Sequence, residues 1–528
     1  MRERTIMPTN LGGAARLALL PLALLALGAS CAPAPDAECT DGPICETRAT
    51  GERYVVPRCV PAWNDGPVPA DCGVFVSTSL GDDEGAGSQD KPFRTLAHAI
   101  LIAGADRPIY VCAEDFSERL VLPAGASLFG GLDCQEGYRW KDTTQKTRLY
   151  GLPDEIPLVL APGSHVSRIE DFAVFAADAT RPGGSSIALL ADHTRAELRR
   201  CDVRAGAGAD GEDGAALPYD SALDGFDGEV GQAVCVAAPE LGTPGGTRVE
   251  RMCEDGNVSM GGRGGDGGAI PPGSSQSTPG KAGEIGAPAV ASFGLGGAGD
   301  AGWGWSCTTG KGTPGNDGAR GTPGTGAAGF GRLDATGYFG IAGGTGGLGL
   351  PGQGGGGAGG ARGAASICAN ATPGAGASGG SGGSGGCGGK GGKGGGPGGA
   401  SIGIASVESS IALWDGRVAS DRGGKGGKGA DGQPGGAGGM GGKGGTGKGL
   451  SAPDACQGGA GGMGGKGGPG GGGLGGPAFV IVHVGGEPEL RGAVSLATGK
   501  PGDGGLGGDG DVAGNRGAPG IGAAIRGF

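Results

Sequence analysis

Aromatic residues are scarce in this chain, with 5 Trp, 6 Tyr and 12 Phe among 528 residues. A core that draws on so few of them is confined to part of the length, because aromatic side chains carry much of the apolar burial in ordinary domains. Histidine is scarcer still: His98, His165, His193 and His483 are scattered, and none stands in a metal-ligand spacing. No CxxC pair occurs, which removes zinc-ribbon and thioredoxin-type chemistry. Positive charge is not in excess either. With 41 basic and 53 acidic residues the net charge is −12, and nucleic acid is excluded as a partner because phosphate binding needs a basic face. The apolar run at residues 17–28 is too short to span a bilayer stably.

What is abundant is glycine, 134 residues, placed in register. From residue 423 to 447 every third residue is glycine without a break, and the runs 376–394 and 458–476 repeat the register. Most triplets are G-G-X, and the segment GGAGGMGGKGG occurs twice, at 435–445 and 458–468. With a period of three, each X falls on one face. In one run that face is Ser378, Ser381, Ser384, Cys387, Lys390 and Lys393; in another it is Lys425, Lys428, Asp431, Pro434, Ala437, Met440 and Lys443. Three states are open to such runs: disorder, a collagen triple helix, or extended three-residue helices packed side by side. The most collagen-like piece is 312–321 (GTPGNDGARG). The G-G-X runs resemble those of glycine-rich antifreeze proteins, and that likeness implies packed polyglycine-II helices.

The N-terminus reads as an export signal. Arg2, Arg4 and Arg16 precede the apolar run, which ends at Gly28-Ala29-Ser30-Cys31. That ending resembles the lipobox of bacterial lipoproteins, with Gly28 where the family prefers Leu or Val. The resemblance implies lipidation at Cys31 and an outer-membrane or cell-surface lipoprotein; an ordinary signal peptide implies an extracellular or periplasmic protein. Fourteen cysteines suit an oxidising compartment. The near pairs Cys39/Cys45, Cys59/Cys72, Cys112/Cys134 and Cys235/Cys253 are the expected disulfides, and Cys307, Cys368, Cys387 and Cys456 are placed to staple glycine arms to the body.

Four regions follow: a signal peptide at 1–31, a cysteine-rich tether or module at 32–73, a globular part at 74–205, and strands interleaved with glycine arms at 206–528. The globular part opens with a strand at Val74-Phe75-Val76, a Gly/Asp loop, Pro92-Phe93-Arg94-Thr95-Leu96 and a short apolar helix from Thr95 to Ala103. These residues resemble the first coil of pectin-lyase-like right-handed parallel β-helix proteins. An apolar pair spaced by eleven recurs at Leu158/Ile169, Ile187/Leu198, Ile402/Leu413 and Phe479/Leu490, followed by Val174, Val203, Val418 and Val494. Such fixed spacing is what stacked coils require. The expected fold is all-β: a parallel β-helix solenoid with long glycine-rich excursions.

Parallel β-helices include polysaccharide lyases and hydrolases. Asp171 and Asp202, with Arg199 and Arg200 nearby, are the one acid/base pair that suggests itself. Asp82, Asp83, Glu84 and Asp90 offer the hard oxygens calcium prefers, without a defined ligand spacing. No catalytic residue or cofactor is assigned beyond that calcium site. The expected role is a non-enzymatic, structural or adhesive one at the cell envelope. The chain is held to a membrane by its lipid and meets polysaccharide or matrix; the alternative is a carbohydrate-active β-helix enzyme or glycan-binding module.

Overall fold

The computed structural model describes residues 45–47 and 53–528. Cys31, Cys39, the Cys45 side chain and the leader lie outside the described residues. The described residues are all-β, with most of their strands in three parallel sheets and, among them, one helix longer than a single turn, Leu96–Ala103. Thr95 caps that helix by accepting from the His98 amide, and the Glu118 carboxylate accepts from the Leu96 and Ala97 amides, each at 2.9 Å. A negative group there meets the unpaired amides of the first turn.

Successive passages of the chain add one strand to each sheet. Leu158–Leu160 joins the first sheet, Val166–Glu170 the second and Phe172–Phe175 the third. The next passage repeats this with Ser186–Asp192, Arg195–Arg199 and Asp202–Arg204. It is followed by Ser401–Val407, Ser410–Trp414 and Arg417–Ala419, then by Ala478–Val484, Glu489–Arg491 and Ser495–Ala497. All these neighbours pair in parallel. One apolar core runs up the middle, with Leu158, Leu189, Ile404 and Ile481 from the first sheet and Ile169, Leu198 and Leu413 from the second. The runs SIALLAD, SIGIASV and AFVIVHV are apolar on both faces, as buried parallel strands are.

The eleven-residue spacing is met in part. Ile187, Ile402 and Phe479 stand in one column of the first sheet, while Leu158 pairs with Leu189, two residues further on. Val174, Val203 and Val418 share a column of the third sheet, but the residue that continues it is Leu496, not Val494. Leu333 and Tyr338 belong to no such column. They face each other in an antiparallel hairpin, Arg332–Asp334 with Gly337–Phe339, that packs on the outer face of the first sheet. The corner between the second and third sheets is turned by one left-handed residue per passage: Gly131, Asp171, Arg200, Asp415 and Gly492, with φ of 69°, 55°, 53°, 49° and 67°. Glycine and aspartate tolerate that geometry best.

Residues 56–72 lie against the stack, whatever precedes them. The Cys59–Cys72 disulfide holds this segment over a column of rings, Phe75, Tyr110 and Phe129, stacked at 5.3 and 5.4 Å. Tyr110 Oη donates to the Cys59 carbonyl at 2.7 Å. The Cys112–Cys134 disulfide closes the same edge.

All the long glycine insertions leave from the corner between the third and first sheets: 205–400, 420–477 and 498–521. Stacking of the strands therefore sets the insertions side by side. They are ordered, and their backbones bond one another at every third residue. Amides from Gly445 to Gly424 donate in steps of three to the carbonyls from Ser378 to Gly399, an antiparallel pairing. Amides from Gly458 to Gly476 donate in the same steps to carbonyls from Gly442 to Gly424. The segment 458–476 has further neighbours in 341–356, 380–398 and 315–327, the last two parallel to it. At the ~3.1 Å rise of an extended three-residue helix, the segment 378–399 reaches about 65 Å from the stack.

Glycine serves close approach here. A Cβ on Gly470, Gly471 or Gly472 would land on the carbonyl oxygens of Lys393, Thr325 and Gly505, three different neighbours for three successive residues. Gly312, Gly315, Gly318 and Gly321 each face carbonyls of the one segment 347–356, so a single glycine per turn suffices there. More glycines in a triplet thus go with more segments packed around it. Collagen-like G-X-Y pieces lie at the rim, and GGG stretches such as 354–357 lie fully buried.

Candidate functional site

The carboxylates singled out in the sequence are occupied with structure. Asp171 and Glu170 are 2% exposed and both bind Arg200, whose Nη2 lies 2.8 and 2.6 Å from their oxygens. Trp140 Nε1 donates to Asp171 at 3.0 Å. Burial raises the Asp171 carboxyl, and the Arg200 guanidinium only partly offsets this. Asp202 pairs with Lys146 at 3.1 Å, and Arg199 lies over the Trp414 ring at 4.4 Å with Glu197 beside it. Asp171 and Asp202 are therefore not set across a cleft from each other as an acid and base.

In the acidic loop, Asp83 accepts from the Arg94 and Thr95 amides at 2.8 and 3.0 Å and from Thr95 Oγ1 at 2.8 Å. Burial pushes its carboxyl up, and these hydrogen bonds outweigh that and hold it below its usual value. Asp82 accepts from the Glu84 amide at 3.1 Å, and Glu84 and Asp90 are not drawn in with it. Among the described residues no group of three or more His, Cys, Asp or Glu side chains is placed to hold a metal ion.

The disulfides correct one expectation. Cys235 and Cys253 do not bond each other; Cys235 pairs with Cys368, Cys253 with Cys387, and Cys307 with Cys456. Proximity in sequence misleads here because the segments run extended, so residues near in the chain lie far apart along the array. These three bonds join glycine segments to one another, not to the stack. Cys201 is a free, buried thiol whose burial pushes its pKa up to about 12, which leaves it inert at neutral pH.

Two surfaces remain that place side chains for recognition. The first is the flank of the glycine array. Lys425, Lys428, Asp431, Pro434, Ala437, Met440 and Lys443 are exposed in a row, one per turn. The matching row Ser378, Ser381 and Ser384 is fully buried. Each serine amide donates to the carbonyl of Gln232, Glu229 or Phe226, and each Oγ accepts from the amide of that same residue at 2.7 Å. Asp210, Asp213, Asp224 and Asp227 act likewise from a rim segment, accepting from the amides of Lys425, Lys428, Ala437 and Met440 at 2.6–2.8 Å. An amide at the edge of the array has no further backbone to bond, and a short side chain on the neighbour supplies the acceptor. This Asp and Ser periodicity stands in the sequence at the glycine period and is the signal the sequence reading missed.

The second surface is the end of the array furthest from the stack, where segments reverse. The turns there form a cleft of about 600 Å³ lined by Trp303, Trp305, Arg362, Leu450 and Asp454, with Asp300 at its base. Trp303 and Leu450 are fully exposed. Trp305 is fixed by its Nε1 donating to the Ala298 carbonyl at 2.7 Å. The disulfides Cys235–Cys368 and Cys307–Cys456 tie the surrounding turns together.

No protein-family model, curated protein or solved structure matches the chain.

Proposed function

We propose that the three-sheet stack is a right-handed parallel β-helix of the kind the opening strands resemble. Its insertions are then a bundle of polyglycine-II helices, and the whole is an exported lipoprotein held at the cell surface through Cys31. Its role is structural or adhesive: the β-helix is a post, and the bundle is a broad, stiff blade that meets matrix or glycan. The observation that carries this reading is the flank of the array, an extended face with one outward side chain per turn on a backbone lattice whose apolar clusters are small. The ten described cysteines joined in five disulfides support export, since such bonds persist in oxidising compartments. The ion pairs that hold Asp171 and Asp202 count against the alternative of a carbohydrate-active enzyme.

Mass spectrometry of the N-terminal peptide from the membrane fraction tests the anchor, and an unmodified N-terminus beyond Cys31 would sink it. Incubation of the purified chain with acidic polysaccharides tests the role. No new reducing or unsaturated ends are expected; their appearance makes the protein an enzyme.

A further inference from the structure

We infer that the cleft at the far end of the array is a binding site for a neutral glycan, a proposal that rests on the adhesive reading and gives it a ligand. Trp303 stands fully exposed at its mouth, where a flat indole left in water gains most by meeting another flat apolar face. The C–H face of a pyranose ring is such a partner, and its hydroxyl rim needs hydrogen-bonding groups close by.

The cleft supplies them. Asp300, 1% exposed, holds the Gly302 amide at 3.0 Å and the Arg362 Nε at 3.4 Å, which presents the guanidinium, 40% exposed, beside Trp303. Asp454, exposed, accepts from the Gly447 amide at 2.6 Å, which fixes its carboxylate at the rim of the cleft. A donor and an acceptor thus line the same cleft as the indole, an arrangement that sugar hydroxyls, both donors and acceptors, can use.

Charge selects the class of sugar. Asp300 and Arg362 neutralise each other and Asp454 leaves the cleft negative, so an acidic polysaccharide is disfavoured and a neutral one admitted. Preorganisation favours the site as well. The reversing turns of an extended array are where mobility is expected, yet here the Cys307–Cys456 and Cys235–Cys368 disulfides and the Trp305 bond to Ala298 pin them. Little ordering cost is left for the ligand to meet.

Affinity electrophoresis of the full chain through gels containing mannan, β-glucan, xylan, polygalacturonate or alginate tests this. Retardation by at least one neutral polysaccharide is expected, with none by the two acidic ones. Trp303→Ala should weaken it tenfold or more, while Trp414→Ala, on the flank of the β-stack, leaves it unchanged. Circular dichroism of both variants verifies that the fold persists. Absence of retardation in all three neutral gels overturns the inference, as does retardation that survives Trp303→Ala or that is stronger in the acidic gels. Self-association lost in Trp303→Ala, without retardation, also overturns it and assigns the cleft to a second copy of the chain. Adhesion of the Trp303→Ala chain to cells or matrix is measured in parallel. Adhesion without polysaccharide retardation leaves the structural reading standing and removes only the tip site; loss of both in the wild type removes both.

Discussion

The stack and the glycine array are continuous in chain and opposite in construction. The stack is held by side chains: Leu189, Ile404, Ile481, Leu198 and Leu413 fill one core, and the backbone bonds only neighbours in its own sheets. The array is held by backbone: its segments bond in several directions, and glycine stands at most of the places where a neighbour passes closely. In one region specificity comes from shape, in the other from the lack of it. A lattice of near-identical glycine segments has little to define which segment lies beside which. Three things supply that definition: attachment of every segment to one corner of the stack, long-range disulfides, and side-chain acceptors placed at the glycine period.

If that division is right, the two regions fail separately. Removing the three array disulfides, by Cys235→Ala, Cys253→Ala and Cys307→Ala with their partners, is expected to have the largest effect. The bonds close loops of 133, 134 and 149 residues. Loops of that length are worth on the order of 4–5 kcal/mol each in the unfolded chain. Hydrogen exchange should then show the array open and the stack strands still protected; simultaneous loss of both would erase the distinction.

Next in size is a matched pair of substitutions. Leu189→Ala leaves a cavity in the stack and should cost about 2–5 kcal/mol there. Gly471→Val drives a side chain into the Thr325 carbonyl and should cost at least about 3 kcal/mol in the array, since backbone on all sides cannot yield. Hydrogen exchange at array and stack amides under increasing denaturant separates the two. A conservative counterpart, Lys428→Ala on the exposed row, should change stability by less than about 0.5 kcal/mol.

Ser381→Ala removes the acceptor for the part-buried Glu229 amide while keeping the serine's own backbone bond, and should cost about 1 kcal/mol. The readout is faster exchange at the Glu229 amide with the stack unaffected. The smallest effect is one of pH. Burial raises the Asp266 carboxyl, but bonds from the Gly245 amide, Lys281 and Arg263 outweigh it and hold it below its usual value of 3.8. A carboxyl depressed in the folded state lends stability that is present above the unfolded pKa and lost as pH falls through the folded one. Exchange at the Gly245 amide, normalised for intrinsic rate, should therefore rise only below about pH 4, and Asp266→Asn should flatten that rise.

The two regions also differ in how much of them can be read from the chain. In the stack, apolar side chains carry the pattern, so Val174, Val203 and Val418 announce a column by spacing alone. Leu158 breaks the spacing because its passage has a longer turn before the second sheet. In the array the residues that do the bonding have no side chain, so the sequence marks the segments and their period but not their order or direction. Cys235 and Cys253 illustrate the gap: eighteen positions apart, they sit too far along an extended segment to meet, and each finds a partner more than a hundred residues away. The serine and aspartate acceptors were open to view at Ser378, Ser381 and Ser384 and at Asp224 and Asp227, and needed only the idea that edge amides require a partner. The tip cleft had no local signal, since Trp303 and Asp454 come together only when two separate turns end at the same depth.

The near absence of a side-chain core in the array has a thermal consequence. Unfolding it exposes mainly peptide groups, whose hydration lowers heat capacity where apolar exposure raises it. Its stability should therefore fall steadily with warming instead of passing through a maximum, while the apolar core of the stack weakens on cooling as its hydrophobic driving force fades. Cooling therefore shifts the balance of stability from the stack toward the glycine blade.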